Sequence, residues 1–282
     1  MEEIAPFAAL AALGSAMAHS VMALFTKRAG DTLVFRAVTL GLSALWLCPL
    51  LILTPFPSLE VWRFLLLSAA LIWAFNMLMI SAFQRGDMNL VYPVMRGAAP
   101  ALAGLFAFAF LNEALGWLEA AGLALASATL IAFAWPERGG APKLSAIGFA
   151  LGSAVMTASY TVTDAAGVRA ADSTLQYLAW FFAVSSLSIA ATALMRRGSS
   201  FWTAAKRELK PAFASSFFNI ATYGLALWAY ANAPVAPMAA LRETSIVFGA
   251  ILAALVLKEP FGARRAALAV ILAAGLALLQ LA

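Results

Sequence analysis

Charge is scarce in this 282-residue chain, where 18 Lys and Arg and 13 Asp and Glu amount to 11% of the residues. A soluble fold of this size carries a charged skin of roughly a quarter of its residues, so soluble enzymes and nucleic-acid binders are excluded. Cysteine occurs once, as Cys48 inside an apolar run, which removes a disulfide framework, a thiolate zinc site and a CxxC redox pair. Histidine also occurs once, as His19, and there is no HExxH sequence, so a histidine-built metal centre is not expected. The nearest serine-elbow lookalike, Gly41-Leu42-Ser43-Ala44-Leu45, lacks the closing glycine that lets such a turn expose its nucleophile. Neither catalysis nor a bound cofactor is expected.

What is abundant is apolar. Hydrophobic residues make up 64% of the chain and mean hydropathy is +0.91, the composition of an all-α integral membrane protein. An apolar run of about 20 residues crosses the hydrocarbon layer as a helix, since every backbone polar group must be paired within the segment. Ten such runs are expected, at 4–26, 32–54, 61–84, 88–110, 115–134, 144–167, 173–195, 211–231, 234–257 and 263–281. Turn-forming stretches separate them, including Thr54-Pro55-Phe56-Pro57-Ser58, Gly139-Gly140-Ala141-Pro142 and Arg196-Arg197-Gly198-Ser199-Ser200. Acidic Glu2 and Glu3 stand where a cleavable signal would be basic.

The chain repeats itself. Arg96 stands seventeen residues before Glu113, with Gly116 three further on, and Arg242, Glu259 and Gly262 keep the same spacing at an offset of 146. Leu13-Gly14-Ser15-Ala16 recurs as Leu151-Gly152-Ser153-Ala154 at an offset of 138. Two halves, 1–138 and 139–282, then hold five helices each. Five is odd, so the copies enter the membrane in opposite directions, as in the inverted repeats of secondary transporters. In the loops and at the span ends, thirteen basic residues fall on one side (Lys27, Arg28, Arg85, Arg138, Lys143, Arg196, Arg197, Lys206, Arg207, Lys210, Lys258, Arg264, Arg265) and two, Arg63 and Arg169, on the other. The positive-inside rule then puts both termini outside the cytoplasm.

Three arginines, Arg36, Arg96 and Arg242, remain inside the spans and away from the loops. A charge near the bilayer centre costs about 2.5–3.5 kcal/mol on insertion scales, so it should face protein or water, and it marks a site by default. Arg96 and Arg242 lie about nine residues into their helices, too deep to snorkel, whereas Arg36 is near an end and can reach the interface. Tyr92, beside Pro93, is a candidate substrate-binding residue, and prolines flank both deep arginines, Pro93 and Pro100 around Arg96 and Pro237 before Arg242-Glu243. Such residues loosen a helix and free carbonyls to line a cavity. The alternative reading is an Arg96–Glu243 ion pair that ties the halves together, with the prolines only shaping the bundle. His19, midway along the first span, is a candidate proton carrier or a hydrogen-bonded packing element. Asp164 is a coupling or interfacial carboxylate. Tyr160, Asn219, Tyr223 and Trp228 are candidate lining residues or interhelical hydrogen-bond groups. Guanidinium forks favour a carboxylate or phosphonate, and Glu243 can meet an amine, so a zwitterion or anion suits this set.

These features resemble the EamA family of the drug/metabolite transporter superfamily. The resemblance covers nearly the whole chain and includes the repeated endings Leu111-Asn112-Glu113-Ala114-Leu115-Gly116 and Leu257-Lys258-Glu259-Pro260-Phe261-Gly262. Arg85-Gly86-Asp87-Met88-Asn89-Leu90-Val91-Tyr92-Pro93 and Ala239-Ala240-Leu241-Arg242-Glu243-Thr244-Ser245 are similar to a branch associated with phosphonate utilisation. The resemblance implies alternating-access movement of a small metabolite across a bacterial inner membrane, driven by a proton or ion gradient, by a monomer or homodimer. Relatives often carry Trp and Asn late in the first helix, where Met22 and Ala23 stand here, and they are usually drawn with cytoplasmic termini, against the basic-residue count. The other expectation for such a chain is a non-transporting scaffold or flippase-type subunit.

Overall fold

In lipid, an apolar run satisfies its backbone only by becoming a helix, and a computed structural model of the chain follows that rule. It describes residues 5–85, 88–114, 116–134, 144–257 and 263–281. The regular elements among them are all helices: α1 (Ala5–Arg28), α2 (Thr32–Leu53), α3 (Leu59–Arg85), α4 (Met88–Leu111), α5 (Trp117–Ala134), α6 (Leu144–Ala170), α7 (Thr174–Arg197), α8 (Ser200–Asn232), α9 (Val235–Glu243), α10 (Ser245–Leu257) and α11 (Ala263–Leu281). Six described stretches are long and apolar enough to cross a bilayer: Pro6–Thr26, Thr32–Leu53, Leu59–Met79, Val94–Leu111, Leu144–Ala170 and Thr174–Arg197. Trp117–Ala132 and Ala266–Leu278 are shorter apolar helices. Large apolar side chains such as Ile52, Leu53, Phe110, Leu144 and Met195 are exposed, as expected where the outer solvent is lipid tails.

Local chemistry sets the helix starts. Asp31 Oδ1 accepts from the amides of Leu33 and Val34, both at 3.2 Å, and so caps α2. Ser173 Oγ accepts from the amide of Gln176 at 3.1 Å and caps α7. Each cap satisfies donors that the first turn cannot pair internally.

Two elements differ from the sequence-based expectation. The span expected at 211–231 belongs to a helix that already begins at Ser200 and runs through Pro211. The charged run Lys206-Arg207-Glu208-Leu209-Lys210 reads as a loop by composition, yet its stretch packs through buried Phe201 and Glu208. The single span expected at 234–257 is divided into α9 and α10 at Thr244. There the amide of Thr244 bonds to the Leu241 carbonyl at 3.1 Å and the hydroxyl bonds to the same carbonyl at 2.6 Å. A side chain competing for its own backbone tightens the turn and stops the α-helical ladder. The break is therefore not at Pro237, the third residue of α9, where a missing N–H costs no intrahelical bond. Nor do prolines interrupt α4, which is helical through both Pro93 and Pro100.

The halves interlock rather than sit side by side. α1 packs on α8 and α3 on α6, so the first helix of each half lies against the third helix of the other. α4 packs on α6, and α9 with α10 packs on α1, repeating the exchange. α2 against α7 and α5 against α11 are contacts between equivalent helices. Consecutive helices α1 and α2 barely touch, and α6 and α7 behave likewise. Close approach of α4 to α5 requires Gly97: a Cβ there would lie 2.2 Å from Ile131 Cγ1 and 3.0 Å from the Ile131 amide nitrogen.

Candidate functional site

The polar residues of α1, α4, α8 and α9 meet in the middle of the bundle. Arg96, on α4, donates through Nη1 to both carboxylate oxygens of Glu243 on α9, at 3.1 and 3.2 Å. Its other terminal nitrogen, Nη2, lies 2.7 Å from His19 Nε2 on α1. A guanidinium has no acceptor, so the imidazole accepts here and carries its proton on Nδ1. Arg242, on α9, is held differently. Its Nε donates to Ser15 Oγ at 3.1 Å and its Nη1 to the Tyr230 hydroxyl at 2.7 Å, with the guanidinium carbon 5.6 Å from the Tyr230 ring centre. Among the described residues its direct partners are therefore neutral. The break at Thr244 ends α9 two residues after Arg242, which sets a cation at the negative end of a short helix.

Two guanidinium groups, one carboxylate and an imidazole thus share one intramembrane cluster. Arg96 keeps 21% of its side-chain surface open and Glu243 10%, so the arginine is partly open while the carboxylate is nearly buried. Tyr160, half-buried on α6, lies within electrostatic range of Arg96, Arg242, Glu243 and Tyr230, and its ring stands edge-on to Phe75. Pro100 is buried in α4; having no N–H, it leaves the Arg96 carbonyl without its helical donor. Tyr92 and Pro93 fall in α4, and their side chains lie outside the described residues, as do the whole of Glu259 and Gly262.

Asp164 and Tyr223 form a second node. The Tyr177 hydroxyl donates to Asp164 Oδ1 at 2.8 Å and the Tyr223 hydroxyl to Oδ2. The Tyr223 ring stacks on Phe181 with centres 4.0 Å apart, and Phe182 meets it edge-on. Asp164 is 1% exposed. Asn219 belongs to neither cluster; its Nδ2 donates to Ser43 Oγ at 3.1 Å. Trp228 is exposed on α8, and its ring joins none of the polar groups of the described residues.

Sequence reasoning missed a third group. Asn112, with φ 55°, adopts the left-handed conformation that commonly ends a helix and turns Glu113 back over the bundle. Glu113 Oε1 meets Arg169 Nη1 at 2.7 Å, and Oε2 accepts from the amide of Val235 at 2.7 Å. Arg169 also donates to the carbonyls of Tyr230 and Ala233, both at 2.9 Å. One ion pair thereby caps the end of α8 and the start of α9. The repeat spacing marked Glu113, but nothing local marked Arg169 as its partner. At the opposite end, Arg197 Nε meets Asp31 Oδ2 at 2.7 Å, and Glu208 Oε1 accepts from the amides of Gly30 and Asp31 at 2.8 and 3.2 Å. Partial burial opposes ionisation of Asp31, but the hydrogen bonds from Arg197, Val34 and Leu33 win and hold its carboxyl below the usual carboxylate range.

Comparison with curated proteins gives no sequence match. Among solved structures, a crystal structure of a protein matches with a TM-score of 0.74, covering 97% of this chain and 96% of that one at 17% identity; identity that low carries the fold alone. The model of the EamA-like transporter family matches twice, over residues 6–135 and 144–281, and the chain therefore belongs to that family of membrane transporters.

Proposed function

We propose that the protein is a secondary-active transporter that moves a small carboxylate- or phosphonate-bearing metabolite, such as an amino-acid-like or aminophosphonate-like zwitterion, across a bacterial inner membrane. The reading takes the chain as ten crossings in two inverted halves, 1–138 and 139–282, with both termini outside the cytoplasm, working as a monomer or homodimer. The observation that carries it is the division of labour between the two deep arginines. Arg96 is neutralised by Glu243, whereas Arg242 is held by a serine and a tyrosine and keeps its charge for a guest. In a medium of low dielectric an uncompensated guanidinium draws an oxyanion strongly.

Glu243 meets a substrate amine only if it leaves Arg96. His19 supplies a way for it to do so: a proton arriving at Nε2 removes the acceptor that Arg96 uses, loosens the Arg96–Glu243 pair and couples a proton gradient to rearrangement of α4 against α9. The break at Thr244 lets α9 move apart from α10. A static reading, in which the pair merely ties the halves as part of a scaffold, draws on the same Arg96–Glu243 contact and gives Arg242 only the task of joining α9 to Ser15 and Tyr230. Arg242→Ala tests the proposal: transport of carboxylates and aminophosphonates in proteoliposomes falls to background while membrane insertion is unchanged. Wild-type rates in that variant would overturn it.

A further inference from the structure

A cleft opens where α1 and α2 barely touch and α8 crosses behind them. The cleft is small, with about 10 Å³ of enclosed room and a mouth open to the outside, and its walls include Thr26, Phe35, Arg36, Thr39, Ser215 and Asn219. The side chains of Arg96, Glu243 and Arg242 do not line it, although Arg36 is within electrostatic range of Arg96, His19 and Tyr160. Three of its polar groups lack partners. Among the described residues Arg36 makes no hydrogen bond or ion pair, and the hydroxyls of Thr39 and Ser215 are buried without one. Hydroxyls on membrane helices ordinarily bond back to the carbonyl four residues earlier, as Ser20, Thr26 and Ser43 do here. Thr39 is 4% exposed and Ser215 0%, so water at the surface does not serve them either. Buried groups left unpaired in this way call for an external partner.

We infer that this cleft is an oxyanion-binding site, in which Arg36 supplies the charge and Thr39 and Ser215 supply hydroxyl donors to a phosphate- or carboxylate-type group. A guanidinium fork matches a tetrahedral or planar oxyanion, and hydroxyl donors satisfy the oxygens the fork does not reach. A cation is disfavoured, because Arg36 already repels it and no described carboxylate lines the cleft. Two sources carry this chemistry: a free small anion and the phosphate of a lipid headgroup at the membrane surface nearest the α1–α2 turn. The inference stands apart from the central-cluster reading and fails separately from it.

The test uses the full-length protein in neutral detergent, titrated with inorganic phosphate while thermal unfolding is followed, and in parallel in phosphatidylcholine or phosphatidylglycerol nanodiscs. A ligand bound to the folded state raises its apparent stability. Phosphate is expected to stabilise wild type, with affinity about tenfold or more weaker in Arg36→Gln and about threefold weaker in Thr39→Val or Ser215→Ala, as losses of charged hydrogen bonds imply. The titrations are repeated in an Arg242→Gln background, which removes any response of the central cluster, and the same losses in Arg36→Gln, Thr39→Val and Ser215→Ala are expected there. If Arg36→Gln does not fold, the two hydroxyl variants carry the test. Stabilisation by phosphatidylglycerol but not by phosphate, lost in Arg36→Gln or the hydroxyl variants, supports the site and assigns it to a headgroup. The inference is overturned if neither probe stabilises wild type, if the cleft variants respond as wild type does, or if Arg242→Gln alone abolishes the response.

Discussion

The cleft beside α1 and α2 and the corresponding place beside α6 and α7 arise from repeated sequence and are filled in opposite ways. The 138-residue offset carries Met22 onto Tyr160 and Thr26 onto Asp164, and aligning the caps Asp31 and Ser173 carries Phe35 onto Tyr177 and Thr39 onto Phe181. In the first half these positions border the small cleft and Arg36, which makes no hydrogen bond or ion pair among the described residues. In the second half tyrosine and phenylalanine rings close the space, and the carboxylate is satisfied by two phenols. Gly167 makes room for the closure, since a Cβ there would fall 2.4 Å from the Tyr177 ring. The Glu113–Arg169 pair reinforces the filled end. Duplication set the backbone; side-chain volume decided which end keeps a cleft.

The largest effect expected from breaking this contrast is functional. Arg242→Ala eliminates proteoliposome transport, because the charge left free by its neutral partners is the one the guest meets. Next is stability at the centre. Glu243→Ala leaves Arg96 without its carboxylate and lowers unfolding free energy by about 2–3 kcal/mol, less than for a fully buried pair because Arg96 stays partly open. The double replacement Arg96→Met with Glu243→Leu recovers much of that loss, and denaturant unfolding in mixed micelles reads the coupling.

The deep arginines, Glu243, His19 and the repeat were legible in the sequence because charge inside an apolar run is rare and costly. Their pairing was legible only as one of two alternatives, since helix rotation decides whether Arg96 faces Glu243. The break at Thr244 carried no proline or glycine to announce it. Tyr177 was overlooked because a tyrosine in an apolar run reads as packing, and Arg169 because a basic residue near a helix end reads as topology. Trp228 was proposed as a lining residue on side-chain chemistry alone, and it is exposed on α8.

A smaller effect is expected at the filled end. Tyr223→Phe leaves Asp164 with one phenol donor and costs about 1.5–2 kcal/mol, measured by the same unfolding experiment, whereas Tyr160→Phe, which breaks no hydrogen bond recorded among the described residues, is near neutral. The smallest concerns the open end. Because Asp31 has a depressed carboxyl pKa, its contribution is present above the unfolded-state value and is lost as pH falls through the folded one, below about pH 4. Asp31→Asn keeps the cap but loses the Arg197 ion pair, so its stability differs from wild type by under about 1 kcal/mol at neutral pH and the difference shrinks on acidification.

The central claim is that Arg242 meets a negatively charged group on the guest. It is tested most directly by thermal unfolding of wild type and Arg242→Gln against a panel of amino acids, aminophosphonates, neutral metabolites and organic cations. The account predicts that the stabilising compounds carry a carboxylate or phosphonate and that Arg242→Gln no longer responds to them. Stabilisation by cations alone, or an undiminished response in Arg242→Gln, would contradict it.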